Sequence, residues 1–345
     1  MASLDSLLDK HHRDLDRAVQ NVLGTGRALD TYGQIADGLP LASVVYDHYG
    51  QGRFYLDHPI SRHTSLCPGA RDTAQDFLCE FADLGMLNFD VELLQAYQST
   101  SPGSRSFHCR LIELVAVTVH RLAVLLFQRD YRLHDDVCKT TGGDPLYTID
   151  LVTSWESDLQ LPNLARRQPG PTLFSHPWYN ARNQYPDGLA DIVGYWAENT
   201  LLGGVVLFDR SEPCGSSSSD DGEPNVYLHS DHAKVTFRIW QLLDEQQQAL
   251  VDFLVSPSGP SSPATTATDG PRTHNASCPF PLLASDRNLK RFNPAAATVH
   301  KVYRDLWERP RGGGWEGGHC VLSPLDYPEL FRSRPTRIVR LTGNE

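Results

Sequence analysis

Between positions 105 and 130 the chain runs through Leu111, Leu114, Val115, Val117, Val119 and Leu122, apolar positions that surround a helical axis almost completely. A helix apolar on nearly every side has no face to give to water, so the rest of the chain must wrap it. The stretch from Leu111 to Phe127 also carries Glu113, His120 and Arg121, and it is shorter than the roughly 20 apolar residues that a bilayer span requires. It therefore predicts a buried core helix, with no membrane as partner.

Other elements can be read around this helix. Leu7, Leu8, Leu15, Val19 and Leu23 fall near helical spacing, and Gly24 and Gly26 end the run. Helical periodicity returns over 71–98, broken near Gly85. Residues 42–46 and 53–56 could pair as a hairpin. A helix is expected over about 187–202, stopped by Gly203 and Gly204. Val205-Val206-Leu207-Phe208 is apolar on both faces and predicts a buried strand. Residues 225–229 and 234–239 alternate with period two and predict an antiparallel meander with it. Asp244 is expected to cap the next helix, with Gln247 as its capping-box partner. The fold class expected is α+β, with a helical N-terminal half followed by a small antiparallel sheet with covering helices. One domain over 1–345 is expected, with flexible insertions near 212–224 and 256–275. The segment from Cys278 onward is too poor in apolar residues to fold alone and should pack back on the main body.

The formal net charge of −11 argues against nucleic acid as a partner, because phosphate binding needs a basic surface. The seven cysteines are scattered without a CxxC pair, so neither a disulfide framework nor a structural zinc site is expected. The acidic opening, Met1 to Asp5, lacks the apolar run of a secretory signal, which predicts a cytoplasmic protein. Without such a signal, the Asn275-Ala276-Ser277 acceptor should stay unglycosylated. There is no GxGxxG, P-loop, GxSxG or HExxH motif, which argues against the common nucleotide-binding and hydrolase classes.

Four groups of residues could carry chemistry. His229-Ser230-Asp231 has the HxD spacing of a two-ligand iron site; His319 could complete the triad, and Arg332 or Arg334 could hold 2-oxoglutarate. A strand end with a capping Asp explains the same residues. His134-Asp135-Asp136 could bind a divalent ion, but the next turn supplies Lys139 and Thr140 rather than acids, so an acidic helix start explains it better. Glu198 lies on the apolar, aromatic helix of Tyr195 and Trp196, and Asp209-Arg210 ends the buried strand. An acid on an apolar face is either a proton-transfer group or one half of an ion pair, here with Arg210 or Arg238. The loop from Phe174 to Arg182 gathers His176, Trp178, Tyr179 and Asn180, which suits a pocket wall as well as a packed core edge.

The segments Gly194-Tyr195-Trp196-Ala197-Glu198 through Asp209-Arg210-Ser211-Glu212, and Arg238-Ile239-Trp240-Gln241 through Phe253-Leu254, resemble a group of uncharacterised filamentous-fungal proteins. The resemblance implies a lineage-restricted role of the kind found in specialised (secondary) metabolism and biosynthesis. It assigns no residue a role.

These readings converge on an enzyme acting on a small organic substrate by acid–base catalysis, with no cofactor. Glu198, His229, Asp209, Arg210 and His176 are the expected catalytic groups, and Trp178, Tyr179, Arg182, Tyr195 and Arg238 the substrate-binding ones. Two alternatives stay open. One is an Fe2+/2-oxoglutarate oxygenase using His229, Asp231 and His319. The other is a non-catalytic interaction protein whose acidic Ser-rich loop at 214–224 makes the contact. The oligomeric state is left open.

Overall fold

A computed structural model describes residues 4, 7–47, 59–81, 84–134, 172–210, 225–233, 235–257, 277–305 and 308 of the chain. Helices α1 (Asp9–Leu23), α2 (Gly26–Asp37), α3 (Ala42–Tyr46), α4 (Ala70–Glu80), α5 (Val91–Gln98) and α6 (Arg105–Gln128) fill the N-terminal half. Helix α7 (Leu189–Leu202), strands β1 (Val205–Asp209), β2 (Val226–His229) and β3 (Ile239–Gln241), helix α8 (Asp244–Val255), and strands β4 (Arg291–Phe292) and β5 (Val302–Tyr303) follow. The fold is α+β, as the residue pattern predicts.

The central helix is α6. Ser104 starts it by accepting a hydrogen bond from the Phe107 amide at 3.1 Å, the usual role of a serine at an N-cap. Over its full 24 residues, beyond the shorter stretch from Leu111 to Phe127, it is long and apolar enough to cross a membrane, yet most of it is buried inside the protein. Helices α1, α2, α5 and α7 pack around it, and α7 runs against it most extensively.

The sheet is antiparallel throughout, in the order β4-β3-β2-β1-β5. Strand β1 is apolar on both faces because it separates two cores. Val206 and Phe208 join Val226, Leu228 and Trp240 against the helices. Val205 and Leu207 join Tyr227 and Ile239 in a smaller cluster with Trp178, Tyr179 and Tyr195. Trp196 and Trp240 are fully buried, and truncating either to alanine should cost about 3–5 kcal/mol.

The described part of the C-terminal segment, 277–305, packs back on the body; the rest, apart from Glu308, lies outside the described residues. Residues 277–305 add β4 to one sheet edge and β5 to the other. Gly203 ends α7 with φ +103°, and the Leu282 amide bonds to the Leu202 carbonyl at 2.8 Å. A Cβ at 203 would lie 2.1 Å from the Leu282 oxygen, so only glycine lets the returning chain cross here.

Three local expectations need correction. Residues 42–46 form the short helix α3 rather than a strand, so the hairpin does not form; the proposed partner at 53–56 lies outside the described residues. The third strand begins only at Ile239, because Val235 to Arg238 bend. The helix after it is capped one residue earlier than expected. Leu243 is the N-cap, and the Gln246 side chain, not that of Gln247, accepts the Leu243 amide at 3.0 Å. Gln247 is buried instead. The insertions at 212–224 and most of 256–275 lie outside the described residues.

Candidate functional site

Helix α7 places Asp191 and Glu198 seven residues apart, two turns on one face. The His120 ring of α6 lies between them. It donates from Nδ1 to Glu198 at 2.9 Å and from Nε2 to Asp191 at 3.0 Å, as an imidazolium can. Gly194 makes the space: a Cβ there would lie 2.6 Å from the ring. Arg304, just after β5, closes the network from the other side. One of its terminal nitrogens donates to both Glu198 oxygens, at 2.8 and 2.9 Å. The Val206 amide also donates to Glu198, at 3.3 Å.

These charges compensate one another. Burial alone would raise the Glu198 carboxyl, but Arg304 and His120 outweigh it and hold Glu198 below the usual carboxylate range. Burial alone would lower the His120 ring, but Asp191 and Glu198 outweigh it and hold the ring above its ordinary value. The Tyr195 ring lies edge-on to His120 at 4.6 Å and under the Arg304 guanidinium at 5.5 Å. Its hydroxyl is buried and has no hydrogen-bond partner among the described residues.

A cleft of about 800 Å³ opens in front of this network. Arg110, Glu113, Val117, His120 and Arg121 form its α6 wall, a single helical stripe. Asp187 and Asp191 come from α7 and its approach, Arg210 from the end of β1, and Arg304 and Asp305 from the returning segment. Glu113 is buried and accepts from two arginines, Arg110 at 2.6 Å and Arg210. Arg210 also donates to the carbonyls of Tyr303 at 3.2 Å and Arg304 at 2.8 Å, which fixes its guanidinium. Arg121 pairs with Asp187.

Asp305 differs from the other acids of the cleft. Its own partial burial raises its carboxyl above the usual range, against the lowering pull of Arg304 and Arg210, and Glu113 adds to the rise. Its side chain is nonetheless 41% exposed, so it can exchange a proton with whatever enters. A raised carboxyl beside fixed guanidinium groups can transfer a proton while they hold an anion.

The expected site residues divide between two places. Arg210 lines the cleft, and Glu198 and Tyr195 stand directly behind its wall. The partner of Glu198 is Arg304, not Arg210 or Arg238. Asp209 precedes Arg210 at the end of β1, paired in register with Val302. His176, Trp178, Tyr179 and His229 form a separate, closed aromatic cluster. The Tyr179 hydroxyl pairs with His229 Nδ1 at 3.1 Å, and His176 Nε2 donates to the His229 carbonyl at 3.3 Å. None of these four lines the cleft, nor do Arg182 and Arg238. The Asp231 amide donates to Asn199 at 2.9 Å. Of the alternative iron triad, His319 lies outside the described residues, as do Arg332, Arg334, Asp135 and Asp136. His120, Glu113, Arg304 and Asp305 had not been singled out as site residues. For the first two a signal existed: Arg110, Glu113, Val117, His120 and Arg121 recur on one face of an otherwise apolar helix. Compared with known families, curated proteins and solved structures, the chain matches none.

Proposed function

We propose that this protein is an enzyme that binds a small organic molecule through an anionic group and moves a proton on it, without a nucleotide cofactor. The observation that supports the reading is the placement of Asp305. A half-exposed carboxyl opens into a cleft walled by Arg110, Arg210 and Arg304. Arg110 and Arg210 share one carboxylate, Glu113, which cannot occupy all the donors of two guanidinium groups, so an entering carboxylate or phosphate would find hydrogen-bond donors there. In this assignment Asp305 is the proton carrier and Arg210 the anion holder. Glu198 and His120 are positioning residues, acting through Arg304. The likeness to filamentous-fungal proteins makes specialised metabolism the setting we infer.

The test has two arms. A panel of small carboxylates and phosphates is screened for ligands that raise the melting temperature, with Arg210→Gln as the comparison. At least one compound should stabilise the wild type and not the variant; a panel without effect overturns the anion reading. Wild type and Asp305→Asn are then incubated with a fungal metabolite extract and followed by mass spectrometry. A metabolite consumed by the wild type should persist with Asp305→Asn, and equal consumption by both removes Asp305 from the chemistry.

A further inference from the structure

A second polar cluster shares no residue with the cleft. Asp37 ends α2, His63 and Cys67 lie in the segment before α4, and His134 follows α6. Each offers one ligand atom, and these atoms all lie within 4.8 Å of one another. We propose that Asp37, His63, Cys67 and His134 form a structural zinc site that ties these three segments together.

The local chain explains how they meet. Gly38, at φ +88°, turns the backbone sharply after Asp37. A Cβ on Gly38 would lie 3.1 Å from the Cα of Arg132, so the segment leaving α6 passes directly over this turn and brings His134 with it. The turn also sends Pro40 beneath His63, whose Nδ1 donates to the Pro40 carbonyl at 2.9 Å. That bond is the kind of outer contact that orients a metal-binding histidine, because it leaves Nε2 of the neutral ring as a lone pair facing inward.

Hydrogen bonding leaves one oxygen of this arrangement unsatisfied. The inward Nε2 of His63 faces Asp37 Oδ2 at 3.1 Å, and the same oxygen accepts the Cys67 amide at 3.1 Å. Asp37 is fully buried, and its other oxygen, Oδ1, has no hydrogen-bond partner among the described residues. Cys67 Sγ and His134 Nδ1 are 3.1 Å apart. A cation at the centre would satisfy all four groups. Bonds of roughly 2.1 Å place tetrahedral ligand atoms about 3.4 Å apart, so a modest rearrangement of these side chains seats the ion. Two imidazoles, one thiolate and one carboxylate are a zinc donor set. The two anionic ligands neutralise a divalent charge, as a buried position requires. Four protein ligands leave no position open for substrate, which makes the site structural. Its ligands come from distant positions, so no CxxC pair announces it.

Cobalt tests this directly, because thiolate ligation gives Co2+ an absorption band that oxygen and nitrogen ligands alone do not. Full-length wild type, stripped with a chelator and shown by circular dichroism to be folded, is titrated with Co2+. About one equivalent should bind with a thiolate-to-cobalt band, and Zn2+ should displace it. In Cys67→Ser the band should vanish and binding weaken by at least about tenfold, whereas Cys79→Ser, at an exposed cysteine, should leave both unchanged. If Cys67→Ser does not fold, His134→Ala provides the ligand-deletion measurement. A folded wild type that binds no cobalt, or a band that survives Cys67→Ser, overturns the site.

Discussion

Helix α7 separates two buried histidine clusters that the protein treats in opposite ways. On one face His120 sits between Asp191 and Glu198, with Arg304 behind them. On the other, His229 and His176 are held by the Tyr179 hydroxyl, by backbone and by ring contacts at 5.0–5.5 Å. Tyr195 touches both clusters, stacked on Tyr179 at 4.5 Å and edge-on to His120 at 4.6 Å. Among the described residues, the ionic cluster lines the cleft and the aromatic cluster does not. Compensated charge, rather than aromatic density, marks that opening. A buried charge network needs stronger constraint than a ring cluster, and that difference can be measured.

The largest effect should follow removal of the central carboxylate. Glu198→Ala leaves the Arg304 guanidinium buried without its partner, which should cost roughly 3–5 kcal/mol, on the order of 10 °C in melting temperature for a chain of this size. The same network sets a pH window. Glu198 is held below its ordinary value, so its contribution is present above about 4.5 and is lost as pH falls through the folded-state value. His120 is held above its ordinary value, so its contribution is complete below about 6.5 and is lost as pH rises through the folded-state value. Melting temperature measured against pH should be highest between those limits in the wild type and flatter in Glu198→Ala. Equal slopes would mean that the network does not control stability.

Gly194→Ala asks whether the His120 position is fixed. Alanine is the better helix former, by about 1 kcal/mol. Against that, its Cβ would meet a ring clamped at both nitrogens, 2.6 Å away. The clash should win, with a net loss of about 1–3 kcal/mol in a denaturant titration. A stabilised variant would show that the ring moves aside freely.

How much of this the sequence carried depends on how far apart the partners are. The continuous apolar run of β1 and the helix buried around its axis are local patterns, and each was readable. Glu198 was readable as an acid on an apolar helix, because α7 is otherwise apolar and aromatic. Its partner was not. Arg304 is 106 residues away, beside a two-residue strand that has no periodicity of its own. The third strand and the cap before α8 were misplaced by bends that alternation cannot register. Of the Asp37 cluster only His134 was read as a possible ligand; the cluster is assembled by tertiary contact from positions no spacing rule connects.

On the aromatic side the expected effect is smaller. Tyr179→Phe removes one hydroxyl from His229 Nδ1 and keeps the ring stack with Tyr195. The cost should be about 1 kcal/mol, and the cleft ligands that stabilise the wild type should stabilise this variant equally. If ligand binding is lost with it, the two clusters are coupled through Tyr195, and the separation drawn at α7 fails.

The smallest effect on stability should have the opposite sign. Asp305 is held above its ordinary value, so its ionised form is less favoured in the folded protein than in the unfolded chain, and near neutral pH it costs stability. Asp305→Asn removes that cost. Because the side chain is 41% exposed, solvent screens much of the effect, and the melting temperature should rise by only about 1 °C. A group that destabilises the fold where it stands, yet opens into the cleft, fits a position kept for chemistry rather than for packing. A melting temperature that falls instead would make Asp305 a structural partner of Arg304, and the proton carrier would have to be sought among the other acids of the cleft.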